Sequence, residues 1–306
     1  MLIRSFSSSY SKKLPTIVTL GNFDGVHLGH QALLKNLVSI GQQQDLIPTV
    51  VTFEPSPQEF FMGDNAPSRL MTLREKYSLL RELGVIQIVC IRFNNAFASI
   101  SAEQFIENIL VERLQTRHML IGDDFRFGKN RVGDYSLLKS VGSKSNFKVQ
   151  KWATVCYGEH RVSSSLIRTA LQQGDLALAE SIMGRPYSIS GKVFYGDQRG
   201  RQWGFPTANI VLRHGKLPLR GVFLVTATDS TGTQWDGVAN VGNRPTVNGQ
   251  RNQLEAHLFD CNENLYGRRL HITFKKKLRD EQKFSGVDEL KNQIEADIQQ
   301  AKNLLY

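Results

Sequence analysis

The feature that most limits how this chain can fold is a change of rhythm near residue 185. Before it, short apolar runs alternate with helical periodicity. Residues 17–20 read as a strand ending at Gly21, and residues 31–43 then carry Leu33, Leu34, Leu37 and Val38 at helical spacing. Residues 47–53 read as the next strand. Thr72 and Glu75 form a capping-box pattern for a helix that Gly84 ends. Residues 85–93 predict a third strand, Ser101 with Gln104 opens another helix, and residues 118–121 predict a fourth strand. Strands alternating with helices imply a parallel sheet covered on both faces.

After residue 185 glycines such as Gly191, Gly196, Gly200, Gly204, Gly221 and Gly237 punctuate short strand-like runs, among them 221–227 and 254–259. That rhythm predicts a small barrel or sandwich. A helix closes the chain, with Ser285 as its expected cap and Leu290, Ile294, Ile298 and Ala301 as its buried stripe. A chain of 306 residues suits two domains. The expected division is 1–184 and 185–306.

Charge narrows the partners. The net charge of +10 favours anionic ligands. The excess is spread out, and its densest cluster, Lys275, Lys276, Lys277 and Arg279, has no interleaved aromatic ladder. Phosphorylated small molecules are expected and nucleic acid is not. Cys90, Cys156 and Cys261 are far apart with no CxxC pair, so neither a disulfide framework nor a zinc site is expected, and Cys90 reads as a core thiol. No apolar run approaches the roughly 18 residues of a membrane span. The N-terminus lacks a signal core. No membrane partner and a cytoplasmic location are the expectation.

The first chemical constellation is GNFDGVHLGH, residues 21–30. Three glycines remove Cβ atoms where a backbone must turn or approach a ligand. The helix that follows offers free N–H groups and a positive dipole end to an anion. His27 and His30 add two imidazoles at that mouth. With no third His or Cys nearby, a zinc site is disfavoured. GxGxxG is absent. Residues 122–129 (GDDFRFGK) are one residue too long between glycines for a Walker loop, and Asn130 follows where Ser or Thr is required.

The second constellation is GRQWGFPTANI, residues 200–210. Pro206 stiffens a turn, and Thr207 and Asn209 offer two oxygens from one side of an extended segment. Neutral oxygens suit a Mg²⁺ completed by water and phosphates. By itself this motif reads as a turn followed by a strand rather than as a metal site, and Glu255 as an exposed strand carboxylate.

The HxGH signature resembles the nucleotidylyltransferase superfamily. With TFEPSP (52–57), GDDFRFGKNRVGD (122–134) and RVSSSLIR (161–168) in order, the first half resembles the bacterial bifunctional riboflavin kinase and FMN adenylyltransferase family, the FAD synthetases. The segment GKVFYGDQRGRQWGFPTANI, then GVANVGNRPT (237–246) and EAHLFDCNENLYG (255–267), resembles the flavokinase half of that family. The resemblance covers nearly the whole chain. It implies an α/β Rossmann-like nucleotidylyltransferase domain followed by a small β-barrel flavokinase domain with a C-terminal helix.

The same resemblance implies two reactions. Riboflavin is phosphorylated by ATP to FMN, and FMN is adenylylated by a second ATP to FAD and pyrophosphate. It assigns Gly21, Phe23, Asp24, Gly25, His27, His30, Asp124, Arg161, Ser164, Ser165 and Arg168 to the ATP of adenylyl transfer, with His27 and His30 catalytic. It assigns Gly191, Thr207 and Asn209 to the ATP of the kinase, Thr207 and Asn209 to Mg²⁺, and Glu255 to general-base catalysis. Riboflavin, FMN, FAD and ATP are the implied partners. Two departures stand out: Ser56 where the family usually has His, and Ser165 where it usually has Thr. An enzyme retaining one of the two activities is the alternative that Ser56 suggests.

Overall fold

The computed structural model describes residues 2–4, 14–196, 200, 203–212, 216–246 and 249–305, and side chains except those of 2–4, 211 and 243–252. Arg201 and Gln202 of the second constellation, and Asp197, Gln198 and Arg199 just before it, lie outside the described residues. The chain divides into two compact units, 1–67 with 73–163, and 68–72 with 164–306.

The first unit is built on a six-stranded sheet of β1 (Leu2–Arg4), β2 (Thr16–Leu20), β3 (Ile47–Glu54), β4 (Gln87–Arg92), β5 (Thr116–Gly122) and β6 (Lys148–Trp152), in the order β1-β4-β3-β2-β5-β6. Every pairing is parallel. Burial on both faces explains why β2 (TIVTL) is wholly buried. The polar side chain of Thr16 is satisfied there by donating to the Leu114 carbonyl at 2.7 Å.

Four helices of this unit follow from local rules. In α1 (Leu28–Gln43) Leu33, Leu34 and Leu37 are buried. The short α2 (Pro57–Met62) begins with proline, and α3 (Leu73–Glu82) is followed by Gly84 at φ +90°. A Cβ on Gly84 would lie 3.2 Å from Val38, so both backbone and packing call for glycine. After α4 (Asn95–Ala98), Ser101 makes the expected capping box with Gln104 and opens α5 (Ala102–Phe105). That helix runs on as a π-helix over Ile106–Arg113, burying Ile106, Ile109 and Leu110. Helix α6 (Tyr135–Lys144) precedes β6, and a short antiparallel hairpin of β7 (Cys156–Tyr157) and β8 (His160–Arg161) follows it.

The order of the strands positions the site. From β2 the chain adds β3 and β4 on one side, then β5 and β6 on the other. The direction reverses between β2 and β5, whose pairing runs to Thr19 opposite Leu120. In an open parallel sheet the crevice beyond the carboxyl ends at such a point receives ligands. Gly21 and Gly122 stand at its two lips.

The second unit contains α7 (Ser164–Gln173), α8 (Leu176–Met183) and a closed barrel of β9 (Ser188–Phe194), β10 (Ala208–Val211), β11 (Gly221–Thr228), β12 (Gln234–Thr246), β13 (Gly249–Leu258) and β14 (Arg269–Arg279). The sequence left barrel and sandwich open. Antiparallel pairing of β10 with β9, Ile210 opposite Val193, closes the ring and removes its edges. Alternate residues such as Ile210, Phe223, Val225, Leu254, Ala256 and Phe274 are fully or almost fully buried. The C-terminal helix (Val287–Asn303) covers an outer face instead, with Ala301 and Ile298 against Val222, Leu224 and Val238. Its cap corrects the expectation. Gly286 is the N-cap and makes no side-chain cap bond, while the N–H and hydroxyl of Ser285 both donate to the Glu289 carboxylate.

Candidate functional site

The loop 21–27 leaves β2 with Gly21 donating to the Val51 carbonyl at 3.1 Å. It then takes three positive-φ residues, Phe23 (+48°), Gly25 (+80°) and Val26 (+38°). A β-branched residue in that region is strained. Val26 is held by burial and by its carbonyl, which accepts from the Gln31 amide at 2.9 Å. His27 caps α1, its Nδ1 accepting from the His30 N–H at 3.3 Å. The two imidazoles stack at 3.6 Å between centroids, and Phe23 lies 5.0 Å from His30. A Cβ on Gly29 would sit 3.2 Å from His27 Nδ1, so this glycine lets the ring lie against the backbone.

Burial, the neighbouring His27 and the buried Lys76 together hold the His30 pKa well below the ordinary value of 6.5. His30 is neutral near pH 7 and offers one N–H, not a charge. Its folded pKa is depressed, so the unfolded chain binds more protons as pH falls below about 6.5. The stabilisation is therefore complete above that pH and is lost below it. Unfolding followed between pH 7.5 and 5.5 is expected to show a steeper loss of stability for the wild type than for His30→Asn; parallel curves would refute this.

The opposite lip starts at Gly122. Asp123 accepts from the Thr154 N–H at 3.2 Å, and Asp124 pairs with Arg161 at 2.9 Å. Both side chains of that pair are more than half exposed, so it orients rather than stabilises. The segment 122–134 is a packed loop, not a phosphate cradle. A Cβ on Gly128 would meet the Ala102 backbone at 2.7 Å, and one on Gly133 would meet the Phe127 ring at 2.7 Å. Thus the first unit brings together Gly21, Phe23, Asp24, Gly25, His27 and His30 on one loop, with Asp124 and Arg161 paired. Ser164, Ser165 and Arg168 stand on α7 in the second unit, where Arg168 Nε donates to the Ser68 carbonyl at 2.6 Å.

Ser56 has a structural task. It caps α2, accepting from the Glu59 N–H at 3.2 Å while its own N–H donates to the Glu59 carboxylate at 2.8 Å. Serine is among the best residues for this position.

On the barrel, two cavities of about 430 and 420 Å³ share Thr207 and Asn209. The larger is walled by Trp203, Phe205, Phe284 and the Leu290, Ile294 and Ile298 stripe, and also contains Glu255. The smaller is lined by Pro206 and by residues 261–266. Strand register places Glu255 between Asn209 on β10 and Asn240 on β12. Asn209, Asn240 and Glu255 are all half-buried and line the larger cavity. Gln253 donates from one amide nitrogen to Glu255 Oε1 at 2.5 Å and Asn209 Oδ1 at 2.9 Å. Gly191 pairs with Leu270 within β9 and lines neither cavity.

The donor set fits Mg²⁺. A Cβ on Gly196 would strike the Asn209 amide at 2.5 Å, and one on Gly200 would stand 3.4 Å from Thr207 Oγ1. Backbone without side chains therefore surrounds two hard neutral oxygens, leaving room for a cation that keeps water and phosphate ligands. At the cavity rim Arg279 and Asp297 form a bidentate pair, 2.8 Å in each bond, with Gln293 also donating to Asp297.

Sequence reading missed Lys76, Asn240, Gln253, Arg279 and Asp297. Asn240 lies within the GVANVGNRPT segment, Arg279 within the basic cluster, and Gln253 stands two residues before Glu255 and so shares its face of a strand.

The comparisons with known proteins identify the family. Residues 9–166 match the family model of FAD synthetase, and residues 183–305 match that of riboflavin kinase. A bifunctional riboflavin kinase/FMN adenylyltransferase of Escherichia coli (strain K12) is 47% identical over 281 residues, 92% of this chain and 90% of its own. Proteins of the same description from Haemophilus influenzae and Pseudomonas fluorescens are 42% and 43% identical, each covering at least 97% of both chains. The crystal structure described as a macrolide-efflux protein from Streptococcus pneumoniae is similar over 99% of each chain, with a TM-score of 0.83 and 27% identity. Two family models in sequence and relatives matched along their length converge: the chain belongs to the bifunctional riboflavin kinase/FMN adenylyltransferase family, and makes FMN from riboflavin and FAD from FMN.

Proposed function

We propose that the two reactions run at separate sites, adenylyl transfer at the crevice beyond β2 and β5 and phosphoryl transfer on the outer face of the barrel. The observation that carries this reading is the wall shared by the two barrel cavities. Thr207 and Asn209 line both, and Glu255 lies opposite Asn209. Both cavities mix polar and apolar side chains: the first offers Trp203, Phe205, Phe284 and the aliphatic stripe to the isoalloxazine ring, and the second offers Asn262, Asn264 and Tyr266 to a nucleotide. The ribityl hydroxyl oxygen of riboflavin attacks the γ-phosphorus of ATP, its proton passes to the Glu255 carboxylate, and ADP leaves. Thr207 and Asn209 would hold Mg²⁺, which would supply neutralisation of phosphate charge.

In the first unit an FMN phosphate oxygen attacks the α-phosphorus of ATP and pyrophosphate leaves. His27, His30 and the N–H groups opening α1 donate to the phosphates. Asp124, Arg161, Ser164, Ser165 and Arg168 are given to the same ATP on resemblance, and Gly191 to the ATP of the kinase. The division of activities at 1–184 and 185–306 is supported by the ranges of the two family models, with most of α7 and most of α8 between them. A cytoplasmic location suits the three free thiols. Among the described residues no helix is long and apolar enough to cross a membrane, and the reading needs no nucleic acid.

Incubation with riboflavin, ATP and Mg²⁺, with the flavins separated over time, tests the proposal. FMN is expected to rise first and FAD to follow, and chelation of Mg²⁺ is expected to stop consumption of riboflavin. A stall at FMN would leave the enzyme with kinase activity alone.

A further inference from the structure

We propose that Gln253 is a positioning residue for phosphoryl transfer, its single amide setting the Glu255 carboxylate and the Asn209 carbonyl oxygen in a fixed relation. This rests on the roles of Glu255 and Asn209 given above.

Register explains why Gln253 is available. Along β13, Leu254 and Ala256 are fully buried, and the alternate residues Gln253 and Glu255 belong to the opposite face. Asn209 stands opposite Glu255 on β10. Gln253 thus reaches both neighbours, along its own strand and across to the next.

The chemistry of the three groups then orients them in turn. An ionised carboxylate only accepts hydrogen bonds, so Gln253 must present its NH₂ to Glu255. The same nitrogen, through its other hydrogen, faces Asn209. Two amide nitrogens cannot pair, so Asn209 must present Oδ1 to Gln253 and turn Nδ2 elsewhere. The observed contacts follow this polarity, at 2.5 Å to Glu255 Oε1 and 2.9 Å to Asn209 Oδ1. On its other side the Asn209 amide is lodged against Gly196, where a Cβ would come within 2.5 Å of Nδ2. A flipped Asn209 would aim a nitrogen, which cannot ligate a hard cation, along the direction the oxygen now takes. Gln253 therefore acts on two groups together: it steadies the carboxylate that takes the proton and selects the atom that Asn209 offers to Mg²⁺ and phosphate.

Gln253→Met keeps much of the side-chain length and removes both donors, while Gln253→Glu replaces donors with acceptors. Both are made in the full chain, with adenylylation of supplied FMN as the control for folding. For Gln253→Met the expectation is a kinase kcat lower by about 10- to 100-fold, the range for groups that orient a ligand to a metal. KM for riboflavin should be unchanged, and the Kd of Mg·ADP measured by calorimetry should be weaker. Gln253→Glu should lose more, because it opposes both partners. In a Glu255→Gln background the kcat effect of Gln253→Met should shrink, since the two act on one step. Normal kcat and normal Mg·ADP affinity in Gln253→Met, with Glu255→Gln inactive, would overturn the proposal. Normal turnover in Glu255→Gln would instead overturn the base assignment beneath it.

Discussion

A His27→Ala/His30→Ala double variant is expected to stop at FMN, accumulating it from riboflavin and ATP without forming FAD. In the proposed mechanism each imidazole supplies a donor where charge builds on the phosphates. Losing one such donor typically costs about 10²- to 10³-fold in rate. The two rings stack at 3.6 Å and will not act additively, so a combined loss of at least about 10³-fold is expected. His27 also caps α1, and removing a cap costs about 1 kcal/mol of helix stability. The control is His27→Asn/His30→Ala, since asparagine restores a capping oxygen without an imidazole. Equal loss in both variants assigns the effect to the rings. FAD formation near the wild-type rate in either would sink the assignment.

The second large effect is expected at Glu255. Glu255→Gln keeps the volume and an oxygen able to accept from Gln253, which bonds this side chain in the wild type. Only the capacity to take a proton is lost. General-base groups contribute about 10²- to 10⁴-fold, so kinase kcat should fall in that range with little change in KM. Adenylylation of supplied FMN should continue. Riboflavin phosphorylation within a few-fold of the wild type would remove Glu255 from the mechanism, and loss of both activities in a folded protein would refute two separate sites.

The structure also alters the reading of Ser56. As a departure from the family pattern it suggested a weakened first site. Its capping box with Glu59 shows a local reason for serine, in the helix that carries Phe60 and Phe61. The sequence carries this clue in Ser56 and Glu59, three apart.

What the sequence by itself determined was short-range. Glycines at 21, 25 and 29, a strand before them and a helix after them made an anion-binding loop legible, because turn geometry and helix capping depend on a few neighbours. The same holds for the capping box at Ser101, the stop at Gly84 and the two-domain rhythm. The π-helix over Ile106–Arg113 escaped, because its apolar residues also suit an ordinary helix until packing selects one. Only tertiary structure decided the rest. Closure of the barrel needed Ile210 to meet Val193, and the reactive row needed Asn209 to meet Glu255. The depressed pKa of His30 needed its burial first, and then His27 and Lys76 beside it. Register and burial are set by cooperative packing of segments far apart in the chain. Periodicity announces which residues a strand presents to one face, and the partner strand decides what they touch.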